Sequence, residues 1–188
     1  MAMDLAEAHA RALDATRAVV AGVRPDQWQA ASVCDAWDVR ELVNHVVAGN
    51  WWVAPLVEGH TIADVGDRYD GDVLGDDPLA AYDASMKEAA AAFRGPGAMD
   101  APVAVSYGPV PGSVYCGHRL IDVLVHGWDV ASSTGQPTAL DPDLVTVALE
   151  VVEPQIEMLA ASGMFGTSVE LPPGASDEQR LLALLGRA

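Results

Sequence analysis

At 188 residues the chain is long enough for one domain with its own hydrophobic core. Ten Lys and Arg stand against 27 Asp and Glu, a formal charge of -17 with no basic cluster, which excludes the electrostatic footprint of a nucleic-acid binder or of a protein held on an anionic membrane. The N-terminal MAMDLAEAHARALD lacks a basic region followed by an apolar one, and no uninterrupted apolar run reaches bilayer length, so a soluble, cytoplasmic protein is expected.

Richness in Ala, Leu and Val, with few aromatics beyond five Trp, favours helix over sheet. Apolar positions recur at helical spacing from Leu5 to about Val23, where Arg24-Pro25 ends the run. A loop with Trp28 and Cys34 follows. Asp38-Val39-Arg40-Glu41 reads as a capping box opening a helix from Val39 to about Val57. From Glu58 to Asp77, Gly59, Gly66, Gly71 and Gly75 among acidic residues predict a solvent-exposed excursion. Asp77-Pro78 starts a helix that ends near Arg94-Gly95. Residues 101 to 112, punctuated by Pro and Gly, are extended, with room for a short strand. A helix from about Ser113 to Ser133 is closed by Gly135, another runs from Asp141-Pro142 to about Ser162, and Ser176 to Arg187 is short and amphipathic. The resulting expectation is a single all-α domain over 1–188, a four-helix bundle with an additional short C-terminal helix.

The stretch HRLIDVLVHGWD, His118 to Asp129, carries polar groups in an otherwise apolar helix. Steps of 100° per residue put Asp122, His126 and Asp129 within about 60° of one another. That stripe either faces water or lines an interior cavity. In the helix from Val39, Glu41 and His45 share a face, so two helices each carry a carboxylate followed four residues later by a histidine. Imidazole and carboxylate projecting inward from facing helices suit a divalent first-row metal. Bland readings stand beside this one. Glu41 is explained as a cap, His118 as a surface residue at the edge of the stripe, and Asp129 as a partner that orients a histidine or accepts a backbone bond. His9 and His60 read as solvated. Trp51 and Trp52 read as core and rim, with Trp52 or Trp128 as candidate pocket walls. Cys34 and Cys116, far apart and without a CxxC, indicate neither a disulfide scaffold nor a Cys-based zinc site, and with no adjacent base they read as inert small hydrophobes.

Cys34-x2-Trp37-x-Val39, LVNHVV around His45 and IDVLVHGWDVASSTGQP around Asp122 and His126 together resemble the DinB-like superfamily. More closely, the chain is similar to the metal-binding N-terminal domain of mycothiol-dependent maleylpyruvate isomerase and related uncharacterised metal-binding proteins. The turn GMFG at Gly163 to Gly166 and the terminal RLLALLGR extend the likeness. The resemblance implies a four-helix bundle with a metal held by His45, Asp122 and His126, zinc first and nickel or iron as alternatives. Asp122 stands where the family often has Glu, one methylene longer. It also implies a low-molecular-weight thiol of the mycothiol type as partner in a transferase or isomerase reaction. The isomerase has a further C-terminal domain for which 188 residues leave no room, so maleylpyruvate isomerisation itself is not carried over. A non-catalytic metal or ligand-binding module, and a metal-free structural bundle able to form a homodimer, are the competing expectations.

Overall fold

The computed structural model describes residues 3–35, 37–106, 108–158, 168–171 and 173–187. They fall into two compact units, Asp4–Thr138 and Ala139–Ala188 with Met1–Met3. The described residues are mostly helical, with one small two-stranded sheet.

In the Asp4–Thr138 unit, α1 (Leu5–Ala21) starts where the Asp4 carboxylate accepts the Glu7 backbone N–H at 3.0 Å. The Asp38-Glu41 capping box opens α2 (Val39–Trp51): each side chain accepts the other residue's backbone N–H, at 2.8 and 2.9 Å. That helix does not run unbroken to Val57. It ends at Trp51 and a separate turn, α3 (Val53–Val57), follows, because Pro55 has no N–H to give the Trp51 carbonyl and its ring crowds that oxygen. The excursion after it carries one helical turn, α4 (Ile62–Val65), and is tied back to α2. Arg40 donates to Asp72 and to the Gly75 carbonyl, and the Asn44 amide donates to Gly71 O and accepts from Val73 N–H.

Asp77 caps α5 (Pro78–Phe93), with Pro at its first position as the sequence predicts. Where one short strand had room, two form: β1 (Pro102–Val105) pairs antiparallel with β2 (Gly108–Pro111), Pro102 opposite Pro111. The long α6 (Gly112–Thr134) ends at Gly135, whose φ of 69° is the left-handed conformation a helix stop favours.

Helix directions follow from pairs of contacts. Cys116 meets Leu5 and Val123 meets Thr16, so α6 runs parallel to α1. Arg119 meets Asn50 while Asp122 meets His45, so α6 runs antiparallel to α2. Arg94 reaches Glu7 and Asp83 reaches Arg17, so α5 is antiparallel to α1. Each of α1, α2, α5 and α6 packs on two of the others, and Leu13, Leu42, Val46, Tyr82, Phe93, Leu120 and Val123 fill the interior. The α1–α6 approach is close because residue 127 is glycine. A Cβ there would stand 2.3 Å from Thr16 Oγ1, which instead donates to the Val123 carbonyl at 3.0 Å.

In the other unit, α7 (Pro142–Val152) packs on α8 (Asp177–Leu184). The helix predicted to reach Ser162 changes to a 3-10 turn at Glu153–Gln155, since Pro154 has no N–H for the Glu150 carbonyl. Residues 159–162 of that prediction, and the GMFG turn, lie outside the described residues.

Candidate metal centre

All side chains of the site belong to the Asp4–Thr138 unit. The middle of α2 presents His45, and one face of α6 presents Asp122, His126 and Asp129. The polar stripe of α6 points inward: His126 and Asp129 are 5% and 0% exposed, and the Asp122 side chain 18%.

Two imidazoles converge on one carboxylate oxygen. His45 Nε2 stands 3.3 Å and His126 Nε2 3.6 Å from Asp122 Oδ1. The two rings are nearly perpendicular, with centroids 5.0 Å apart, and the Trp37 indole stacks on His45 at 4.7 Å. The second oxygen, Asp122 Oδ2, accepts an N–H of Arg119 at 2.8 Å. Arg119 is itself buried and donates to Asn50 Oδ1 at 3.1 Å. It can lie flat against α2 because residue 49 is glycine; a Cβ there would be 2.3 Å from its Nη1.

The outer side of His126 is also occupied. Its Nδ1 lies 2.9 Å from Asp129 Oδ2, and an ionised carboxylate only accepts, so the proton of a neutral ring sits on Nδ1. Nε2 then offers a lone pair to the Asp122 carboxylate, an arrangement that is repulsive unless a proton or a metal cation lies between them. Without a metal the proton takes that place. Burial works against the charged ring, but Asp122, Asp129 and Cys34 outweigh it and raise the His126 pKa to about 9. Burial likewise opposes the Asp122 charge, yet Arg119 first, then His126 and His45, hold its carboxyl well below the usual carboxylate range.

These donors fit a four-coordinate ion. Ligands about 2.0–2.1 Å from a tetrahedral zinc stand roughly 3.3 Å from one another, close to the separations between each Nε2 and Asp122 Oδ1. The carboxylate-histidine pair of Asp129 and His126 is the usual support for a metal-binding imidazole. An open cleft of about 550 Å³ borders the site, lined by Trp37, Asn44, His45, Tyr69 and Asp72 among others.

Several sequence readings are corrected by the packing. His9 is not solvated: it is fully buried against Phe93, neither ring nitrogen has a hydrogen-bond partner among the described residues, and burial, with Arg119 nearby, lowers its pKa to about 3. His118 is half-buried rather than on the surface. Glu41 is the cap it was read as, and His60 is exposed. Trp37 lines the cleft, a role the sequence reading gave to Trp52 or Trp128, while Trp51 and Trp52 pack on Tyr69.

Cys116 is fully buried and its thiol is pushed up to about 12, matching an inert side chain. Cys34 does have a base beside it. Its Sγ lies 3.3 Å from Asp129 Oδ2 and within 4.8 Å of a ring nitrogen of His126. The loop is held there by the Val33 N–H donating to Ser133 Oγ, whose own hydroxyl donates to Asp129 O. No spacing rule brings a loop cysteine to a helix 95 residues later. The only local sign was Cys-x2-Trp ahead of the Asp38 cap.

A sequence profile described as the mycothiol maleylpyruvate isomerase N-terminal domain matches residues 9–131. The chain belongs to that family. Cys34, Trp37, His45, Arg119, Asp122, His126 and Asp129 all lie within the matched span of this mycothiol maleylpyruvate isomerase N-terminal domain. Two uncharacterized proteins of Mycobacterium tuberculosis, one from strain CDC 1551 / Oshkosh and one from strain ATCC 25618 / H37Rv, are each 37% identical to it over 193 aligned residues, covering 98% of both chains. The likeness to them therefore continues past the family match into the Ala139–Ala188 unit. No solved structure gives a significant match.

Proposed function

We propose that the protein holds a divalent cation through His45 Nε2, His126 Nε2 and Asp122 Oδ1, and uses it in a transfer or isomerisation that depends on a low-molecular-weight thiol of the mycothiol type. The observation that carries this reading is the convergence of two imidazole nitrogens on one carboxylate oxygen, with the far sides of Asp122 and His126 committed to Arg119 and Asp129. Two His and one carboxylate favour zinc, with nickel or iron as the next fits. Membership of the isomerase-domain family supports the thiol. The mutual packing of α1, α2, α5 and α6 supports a closed four-helix bundle around the site.

Bound there, the ion would lower the pKa of a thiol or water and supply an anionic nucleophile near neutral pH. The protein's own groups do the rest. Arg119 keeps Asp122 Oδ2 occupied, so one oxygen faces the histidines. Asp129 holds the His126 ring with Nε2 inward. Trp37, stacked on His45, covers that ring beside the cleft through which a thiol and its electrophilic partner would enter. The half-exposed Cys34 thiol suits a reduced cytoplasm.

The test is elemental analysis of tag-free protein purified without chelator, beside His45→Ala and His126→Ala. Near-stoichiometric metal in the parent and its loss from both variants is the expected result. Metal-loaded protein is then assayed with mycothiol-type thiols and electrophilic substrates. Metal without turnover would reduce the protein to a binding module, and no metal even after reconstitution would overturn the reading.

A further inference from the structure

His126 has a carboxylate at each ring nitrogen: Asp122 Oδ1 3.6 Å from Nε2 and Asp129 Oδ2 2.9 Å from Nδ1. Each carboxylate has a further metal-binding group at its side, His45 at 3.3 Å from Asp122 and Cys34 Sγ at 3.3 Å from Asp129. The second trio, Cys34, His126 and Asp129, brings its donor atoms within 4.8 Å of one another, as the first does. We propose that Cys34, His126 and Asp129 form a second ligand set, selective for a soft, thiol-seeking cation and alternative to the His45 set because both need His126.

The two sets use opposite tautomers of one ring. When Nε2 is the ligand, the Nδ1 proton is donated to Asp129. When Nδ1 is the ligand, the ring carries its proton on Nε2, on the side of Asp122 Oδ1 3.6 Å away. Each carboxylate is thus a ligand in one state and the electrostatic partner of the ring N–H in the other. Binding in the second state releases two protons to solvent, that of the Cys34 thiol and that of His126 Nδ1, whose place the cation takes, while the Nε2 proton stays on the ring. The chemistry of the donors then separates the ions. A set of thiolate, imidazole and one carboxylate prefers cadmium, copper(I) or zinc over magnesium, calcium or manganese, whereas the His45 set contains no sulfur. Cys34 is half-exposed, so an ion can reach it from solvent, and its loop is pinned to the end of α6 through Val33 and Ser133.

The experiment is cadmium titration of the reduced full chain in thiol-free, chelator-free buffer, following the ultraviolet sulfur-to-metal charge-transfer band. His45→Ala, which lacks the other set, is expected to bind one cadmium with the band of a single thiolate. Cys34→Ser is expected to show no band. Peptide-resolved alkylation of Cys34 in His45→Ala should slow about tenfold or more when cadmium is present. A second measurement covers weak absorption: cadmium should raise the melting temperature of His45→Ala, but not that of His45→Ala with Cys34→Ser. No band, no protection and no thermal shift in His45→Ala would overturn the proposal, as would a band that survives Cys34→Ser. His45 is dispensable for this set and essential to the one proposed above, so the two readings fail separately.

Discussion

His9 lies fully buried beside Phe93 with no hydrogen-bond partner on either ring nitrogen among the described residues. Its pKa of about 3 in the folded state compares with about 6.5 in an unfolded chain, so between those values the unfolded state binds more protons. Stability is therefore lost as pH falls through 6.5, at up to about 1.4 kcal/mol per unit. His126 acts in the opposite sense in metal-free protein: its contribution is full below 6.5 and is lost as pH rises through about 9. Isolating the first effect needs a variant. Between pH 7 and pH 5 the parent should lose about 2 kcal/mol more than His9→Leu in urea unfolding, and equal losses would show that His9 takes up a proton without unfolding. At the proposed metal site, Asp129→Asn removes the charge that holds the His126 tautomer. Zinc affinity, measured by chelator competition, should fall about 10- to 100-fold with the stoichiometry unchanged. An unaltered affinity would mean that Asp129 does not orient the ring.

At the scale of elements, the helix starts were readable because capping is decided within four residues. Asp38 with Glu41, Asp77-Pro78, Asp141-Pro142 and Ser176 all open helices as read. The breaks at Trp52 and Glu153 were equally local, each caused by a proline, but the apolar periodicity that continues past Pro55 and Pro154 hid them. What no local rule supplied is the closeness of α1 to α6. Gly127 reads as a weak helix residue, and only its contact with Thr16 shows why a side chain has no room there. Gly127→Ala should destabilise the protein by about 1–3 kcal/mol in denaturant unfolding, through forced separation of the two helices, despite alanine's better helix propensity. A stabilised variant would show that the helices can part without cost.

At the scale of the whole molecule, the proposed metal site would couple ion binding to folding of the Asp4–Thr138 unit, because its donors come from α2 and α6 and meet only when those helices pack. Zinc at 100 times its dissociation constant should add about 2.7 kcal/mol to stability. A raised melting temperature that chelator reverses, and that His45→Ala and His126→Ala lack, is the expected record. A parent that zinc leaves unmoved would remove the coupling. The sequence by itself determined a helical, strongly acidic protein, the starts of its helices, and the face of α6 that gathers Asp122, His126 and Asp129, since charge, caps and helical period are properties of neighbouring residues. Only the tertiary structure decided that this face is buried, that His45 closes on Asp122 from 77 residues away, that Cys34 joins Asp129, and that His9 is shut in the core. Those contacts join segments distant in the chain, and their partners are chosen by how the helices pack.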